Sequence, residues 1–63
     1  MKYENLKIGD QISLKKSHPS KTIWWTLIRK GAKFKFQSSI KNDLFIELSR
    51  EVMNKQIKEI KEI

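Results

Sequence analysis

The chain contains no cysteine, so neither a disulfide framework nor a thiolate metal site can staple it. Its single histidine, His18, therefore has no cysteine to activate as a nucleophile. The acids Asp10, Asp43 and Glu47 fall in turns or on a strand face, without the paired spacing of general acid–base work. These absences argue for a protein that is not an enzyme and carries no metal or other cofactor. No apolar run approaches the roughly 18 residues needed to span a bilayer. Residues 1–5 are polar and lack the apolar stretch of a signal peptide. The expectation is a cytoplasmic protein with no membrane partner. At 63 residues the chain makes a single domain, 1–63. A domain of that size buries only about 60% of its unfolded surface, so its few large apolar residues must be used well.

What is present is concentrated in one stretch, Ile23 to Phe36. It holds both tryptophans and two of the three phenylalanines, together with Arg29, Lys30, Lys33 and Lys35. Two apolar-rich runs flank Lys30-Gly31-Ala32, which reads as a hairpin connection with Gly31 free to take positive φ. Phe34 and Phe36 alternate with Lys33 and Lys35, the period of a strand with one buried face. The predicted strands are Gln11–Lys16, about Ile23–Lys30, about Lys33–Gln37 and Leu44–Leu48. In the second, Trp25, Leu27 and Arg29 share one face, and Trp24, Thr26, Ile28 and Lys30 share the other. Trp25, Leu27, Phe34 and Phe36 are assigned to the core. Gly9-Asp10 is a turn pair leading into the first strand. Pro19 removes a backbone donor, so Ser17–Thr22 is a loop.

Ser49 offers a helix N-cap, and Glu51 suits the first turn of a helix. Met53, Ile57 and Ile60 then recur at i, i+4 and i+7, with Val52 and Ile63 flanking the stripe. Glu51/Lys55 and Lys58/Glu62 fall at i,i+4 on the polar side. The spacing predicts an amphipathic helix over about 50–62, following strands within about 6–48. That helix must bury its stripe, and Trp24, Ile28 and Phe45 are the apolar partners expected to cover it. The fold expected is α+β: a small SH3-like antiparallel β-barrel of four to five strands with an amphipathic C-terminal helix.

Gly9-Asp10-Gln11-Ile12-Ser13-Leu14-Lys15-Lys16-Ser17-His18-Pro19 resembles the short bacterial proteins catalogued as domain of unknown function 951. Trp25-Thr26-Leu27-Ile28-Arg29-Lys30-Gly31-Ala32-Lys33-Phe34 continues the likeness, and Ile46-Glu47-Leu48-Ser49-Arg50 extends it with one inserted residue. The resemblance implies a bacterial, cytoplasmic setting and a shared fold. It also implies metal ligation by three cysteines, one after His-Pro and two in a C-x-x-C. This chain has Ser20, Ser38 and Lys41 at those positions, so the zinc site implied by the family is expected to be absent.

Charge is distributed unevenly. Residues 1–41 carry ten Lys/Arg against Glu4 and Asp10, a net +8, while residues 42–63 carry four against five acids, a net −1. A basic face of this kind favours polyanions, above all nucleic acid, RNA or DNA. Lys15, Lys16, Lys21, Lys30, Lys33 and Lys35 are the candidate phosphate contacts, with His18 in the loop beside them. Arg29 is placed to bind bidentately or to lie over Trp25. Trp24 and Phe45 are candidate stacking platforms as well as candidate helix docks. Lys55, Lys58 and Lys61, surrounded by acids, are expected to contribute little. The alternative is a protein-interaction module that docks its basic face on an acidic protein partner, as a monomer or as a homodimer joined through the helix stripe.

Overall fold

The computed structural model describes residues 6–16 and 18–61. Five strands form one antiparallel sheet: β1 Gln11–Leu14, β2 Trp25–Arg29, β3 Phe34–Ser38, β4 Phe45–Leu48 and β5 Ile57–Lys61. One short helix, α1 (Arg50–Gln56), connects β4 to β5. The strand order is β4-β3-β2-β1-β5, so this is a small α+β fold with β1, β2 and β3 paired on both edges. No ladder among the described residues joins β4 to β5, and the sheet stays open. The closed barrel expected from the sequence is therefore not what these pairings build. The chain passes from β4 to β5 through α1, and Met53 of that helix is fully buried. A helix side chain completes the core where a closed barrel would have strand pairing.

The inner face follows from period-2 alternation. Ile12, Trp25, Leu27, Phe34, Phe36 and Met53 are all at most 1% exposed, which makes them the core. Leu6, Leu48 and Ile57 join them, and Leu14, Leu44, Ile46, Val52 and Ile60 pack around the rim. Burying each large side chain contributes about 1.5–3 kcal/mol, so a short chain gets most of its stability from this one layer. The core assigned to Trp25, Leu27, Phe34 and Phe36 is as expected.

Two β-bulges account for two departures. The helix expected to reach residue 62 stops at Gln56, and Ile57–Lys61 is instead an edge strand on β1. Leu14 lies opposite Ile57, but Ser13 lies opposite Glu59, so Lys58 is the extra residue of a bulge. That insertion turns a spacing of three into one shared face: Ile57 and Ile60 both reach the core from a strand. A bulge therefore imitates helical periodicity. Glu62 and Ile63, assigned to the same helix, lie outside the described residues. The helix does begin as expected, with the Ser49 hydroxyl accepting from the Val52 N–H at 3.3 Å.

The second bulge is in β2. Leu27 pairs with Phe36 but Arg29 pairs with Lys35, so Ile28 is the extra residue. Arg29 is thereby moved off the face it was expected to share with Trp25 and Leu27, and it is exposed. Its anticipated position over Trp25 is not formed; the ring packed on Trp25 is His18, edge-on at 5.2 Å.

Turn chemistry separates the two glycines. Gly9 takes φ 102°, within a turn closed by Asp10 N–H to the Lys7 carbonyl at 2.9 Å. Its N–H also donates to the Leu27 carbonyl at 2.8 Å, tying the turn to β2. Gly31 does not adopt the positive φ expected of it. Residues 30–33 bridge β2 and β3 in a loop wide enough to be made without a left-handed residue there.

Candidate nucleic-acid interface

The outer face of the sheet carries a continuous cross-strand row. Lys61 lies opposite Gln11, Gln11 opposite Thr26, Thr26 opposite Gln37 and Gln37 opposite Phe45. The Gln11 amide Nε2 donates to Thr26 Oγ1 at 3.1 Å. Gln37 Nε2 donates to the Asn42 carbonyl at 2.7 Å, which holds the β3–β4 turn over this row. Together the row and the turn enclose an open trough of about 340 Å³.

Two aromatic residues neighbour its lining, Phe45 opposite Gln37 and Trp24 through its carbonyl on the Ser39 N–H, and a lysine covers each ring. Lys35 Nζ lies 4.9 Å from the centroid of Phe45, and Lys61 Nζ lies 5.5 Å from that of Trp24. Phe45 is 41% exposed and Trp24 is half-buried, and neither belongs to the core cluster. The expected docking of the helix stripe on Trp24, Ile28 and Phe45 is not formed. With seven residues, α1 buries Met53 in the core and packs Val52 at its rim. Lys61, expected within the helix and among acids, lies instead on β5 with its ammonium over Trp24.

The loop before β2 is fixed by a chain of hydroxyls. The His18 ring Nδ1 accepts from the Ser20 N–H at 3.1 Å and lies 2.9 Å from Ser20 Oγ. Ser20 Oγ is 2.7 Å from Thr22 Oγ1, which is 2.7 Å from Ser38 Oγ. Ser38 Oγ in turn accepts from the N–H groups of Ile40 and Lys41, at 3.2 and 3.1 Å. Because those two N–H groups only donate, and Nδ1 accepts, one arrangement satisfies every member. Ser38 donates to Thr22, Thr22 to Ser20, and Ser20 to the imidazole. Buried Thr22 and Ser38 are thus paired, as burial requires. Lys21, inside this loop, takes φ 66°, a left-handed value that only a well-determined surrounding sustains for a side chain of its size.

The same chain answers whether a metal fits. Ser20, Ser38 and Lys41, where the resemblance implies cysteines, are linked here, the two hydroxyls through Thr22 and Lys41 by its N–H on Ser38. Their donors, however, are two hydroxyls already hydrogen-bonded to each other's neighbours and a lysine ammonium. No group of three His, Cys, Asp or Glu among the described residues is placed to hold an ion. The residues present do not fit a zinc centre.

The candidate basic residues do not form one patch. Lys15, Lys16, His18 and Lys21 follow β1 or precede β2, at one end of the sheet, where Trp24 also lies. Lys41 joins them through its N–H on Ser38. Arg29, Lys30 and Lys33 sit at the opposite end, around the β2–β3 connection, with Lys30 Nζ 5.9 Å from the Phe34 ring centroid. Lys35 lies between, on the outer face. Gln11, Thr26, Gln37 and Lys61 were not singled out as site residues. Their signal was available: Gln11, Thr26 and Gln37 each alternate with a core residue and so occupy the outward positions of three adjacent strands.

The strand order, the bulged edge strand and the Gly9-Asp10 turn define a small α+β protein built on one antiparallel sheet. A model of the family described as bacterial protein of unknown function, DUF951, matches residues 6–61, and the chain belongs to that family. No curated protein and no solved structure matches it. No helix among the described residues is long and apolar enough to cross a membrane.

Proposed function

We propose that this protein binds nucleic acid, holding phosphates with lysines at the His18 end of the sheet and doing no covalent chemistry. The observation that carries the reading is the hydroxyl chain from His18 to Ser38. It pins two loops together, so that Lys21 and Lys41 are held at the sheet end that Lys15 and Lys16 leave. Charges gathered at one end of a sheet act jointly on a polyanion. Such contacts are strong at low salt and carry little sequence information. The order β4-β3-β2-β1-β5, with a helix between β4 and β5, supports reading the sheet as a variant of the SH3-like small barrel. An acidic protein partner is the competing occupant of the same lysines. Nucleic acid is favoured because aromatic rings and a polar trough adjoin them, which an acidic protein surface does not require. A nucleic-acid role fits a cytoplasmic setting.

Fluorescence anisotropy with labelled oligonucleotides at about 50 mM salt tests this. Binding is expected, with log K falling by about 0.7–0.9 per phosphate neutralised for each unit of log salt. Changing Lys15, Lys16, Lys21 and Lys41 to glutamine is expected to flatten that slope. Glutamine at Arg50 and Lys55, which flank Glu51 on α1, is expected to change little. No binding to any oligonucleotide, or equal loss from both sets, would leave an acidic protein as the better partner.

A further inference from the structure

We propose that the outer-face trough takes unpaired bases, so that the ligand is a single-stranded nucleic acid and not a duplex. This rests on the nucleic-acid reading above and names the form of the ligand. Gln11, Thr26 and Gln37 make its floor, and Ser39, Ile40 and Asn42 make its wall. Trp24 and Phe45 stand two strands apart on either side of Gln37's strand. Their Cα atoms are on the order of 12 Å apart, from the strand spacing and the rise per residue. Two rings at that separation on a sheet surface match a platform on which two or three splayed bases stack. Ile40 lines the wall with 59% of its surface exposed, an apolar side where base faces meet little competition from water.

The floor supplies the edge chemistry. Gln37 Nε2 donates to a backbone carbonyl, which can only accept, so its side-chain orientation is fixed and Oε1 remains an acceptor. Base amino groups are the matching donors. Lys35 and Lys61 each hold an ammonium over one of the two rings. Cation–π contacts at exposed sites are weak, so a stacking base displaces the ammonium at small cost. The displaced lysine remains beside the ring, where the backbone phosphate of the stacked nucleotide arrives. A duplex offers no such fit, since its base faces are already stacked and only its phosphates are outside. Lys15, Lys16, Lys21 and Lys41 would serve either ligand; Trp24, Phe45 and Gln37 serve only the unpaired one.

The test compares a labelled single-stranded oligonucleotide with its duplex at low salt, by anisotropy and by tryptophan emission. The single strand is expected to bind about tenfold more tightly. Trp25 is fully buried and Trp24 half-buried, so the single strand should quench part of the emission and the duplex none. Phe45→Ala alters an exposed ring and should weaken single-strand binding about tenfold while leaving duplex binding unchanged. Trp24→Ala should do the same, and the quenching measured on the unmodified protein serves where that variant folds poorly. Equal binding of both forms, with Phe45→Ala silent and no quenching, would overturn the single-strand assignment while leaving a phosphate-binding protein. Displacement of the single strand by polyglutamate at equal charge would also overturn it, because polyglutamate has nothing to stack. No binding to either form would remove the nucleic-acid reading itself.

Discussion

Trp24 and Trp25 are neighbours in sequence and opposites in use. Trp25 is fully buried among Ile12, Leu27, Phe34 and Phe36, while Trp24 lies half-exposed on the far face beneath Lys61. The pleat of one strand separates them, because successive side chains point to opposite faces. The inner face is apolar but for Ser38, which lies opposite Trp25, and it closes the fold. The outer face mixes aromatic rings, amides and cations, a combination that packing alone does not call for. In a chain this short, stability and recognition are divided between two faces of one sheet.

The comparison breaks first if the two tryptophans respond alike to truncation. Trp25→Ala should cost about 3–5 kcal/mol, enough to abolish a cooperative melt in so small a domain. Trp24→Ala should cost about 1–2 kcal/mol and leave a cooperative melt, read by far-UV circular dichroism. Equal losses would mean that Trp24 belongs to a second core.

Next in size is Ser38→Ala. It removes the acceptor for two backbone N–H groups and the donor to buried Thr22, at about 1–3 kcal/mol. A change within the error of chemical denaturation would show that the loop of His18 is held by something other than this chain. Smaller still is the contrast between the glycines. Gly9→Ala forces a Cβ into φ 102° and should cost about 1 kcal/mol, although nothing lies within 4 Å of that Cβ. At Gly31 the nearest atom is 3.8 Å away and φ is not left-handed, so Gly31→Ala should stay within about 0.5 kcal/mol. The smallest expected effect is none at all: melts with and without a strong chelator should superimpose, since Ser20, Ser38 and Lys41 stand where the resemblance implies cysteines.

The inner face was legible in the sequence because Trp25, Leu27, Phe34 and Phe36 obey period 2 without interruption. Arg29 was misplaced because nothing in Leu27-Ile28-Arg29 announces an extra residue, and a bulge exchanges the faces beyond it. Ile57 and Ile60 were read as helical because a spacing of three is what a helix requires; β1 offered an unpaired edge, and a bulge at Lys58 let both isoleucines use it. The trough was missed for a different reason. It is made of outward-facing polar residues on three strands that only the register brings into one row. The link from Thr22 to Ser38 spans two loops and is likewise a product of the tertiary fold.

The division of labour is tested most directly by the two indole N–H resonances during titration with a single-stranded oligonucleotide. The Trp24 resonance should move progressively to saturation, while that of Trp25 stays in place. Movement of the Trp25 resonance alone, or saturation of binding with the Trp24 resonance unmoved, would contradict the assignment of recognition to the outer face.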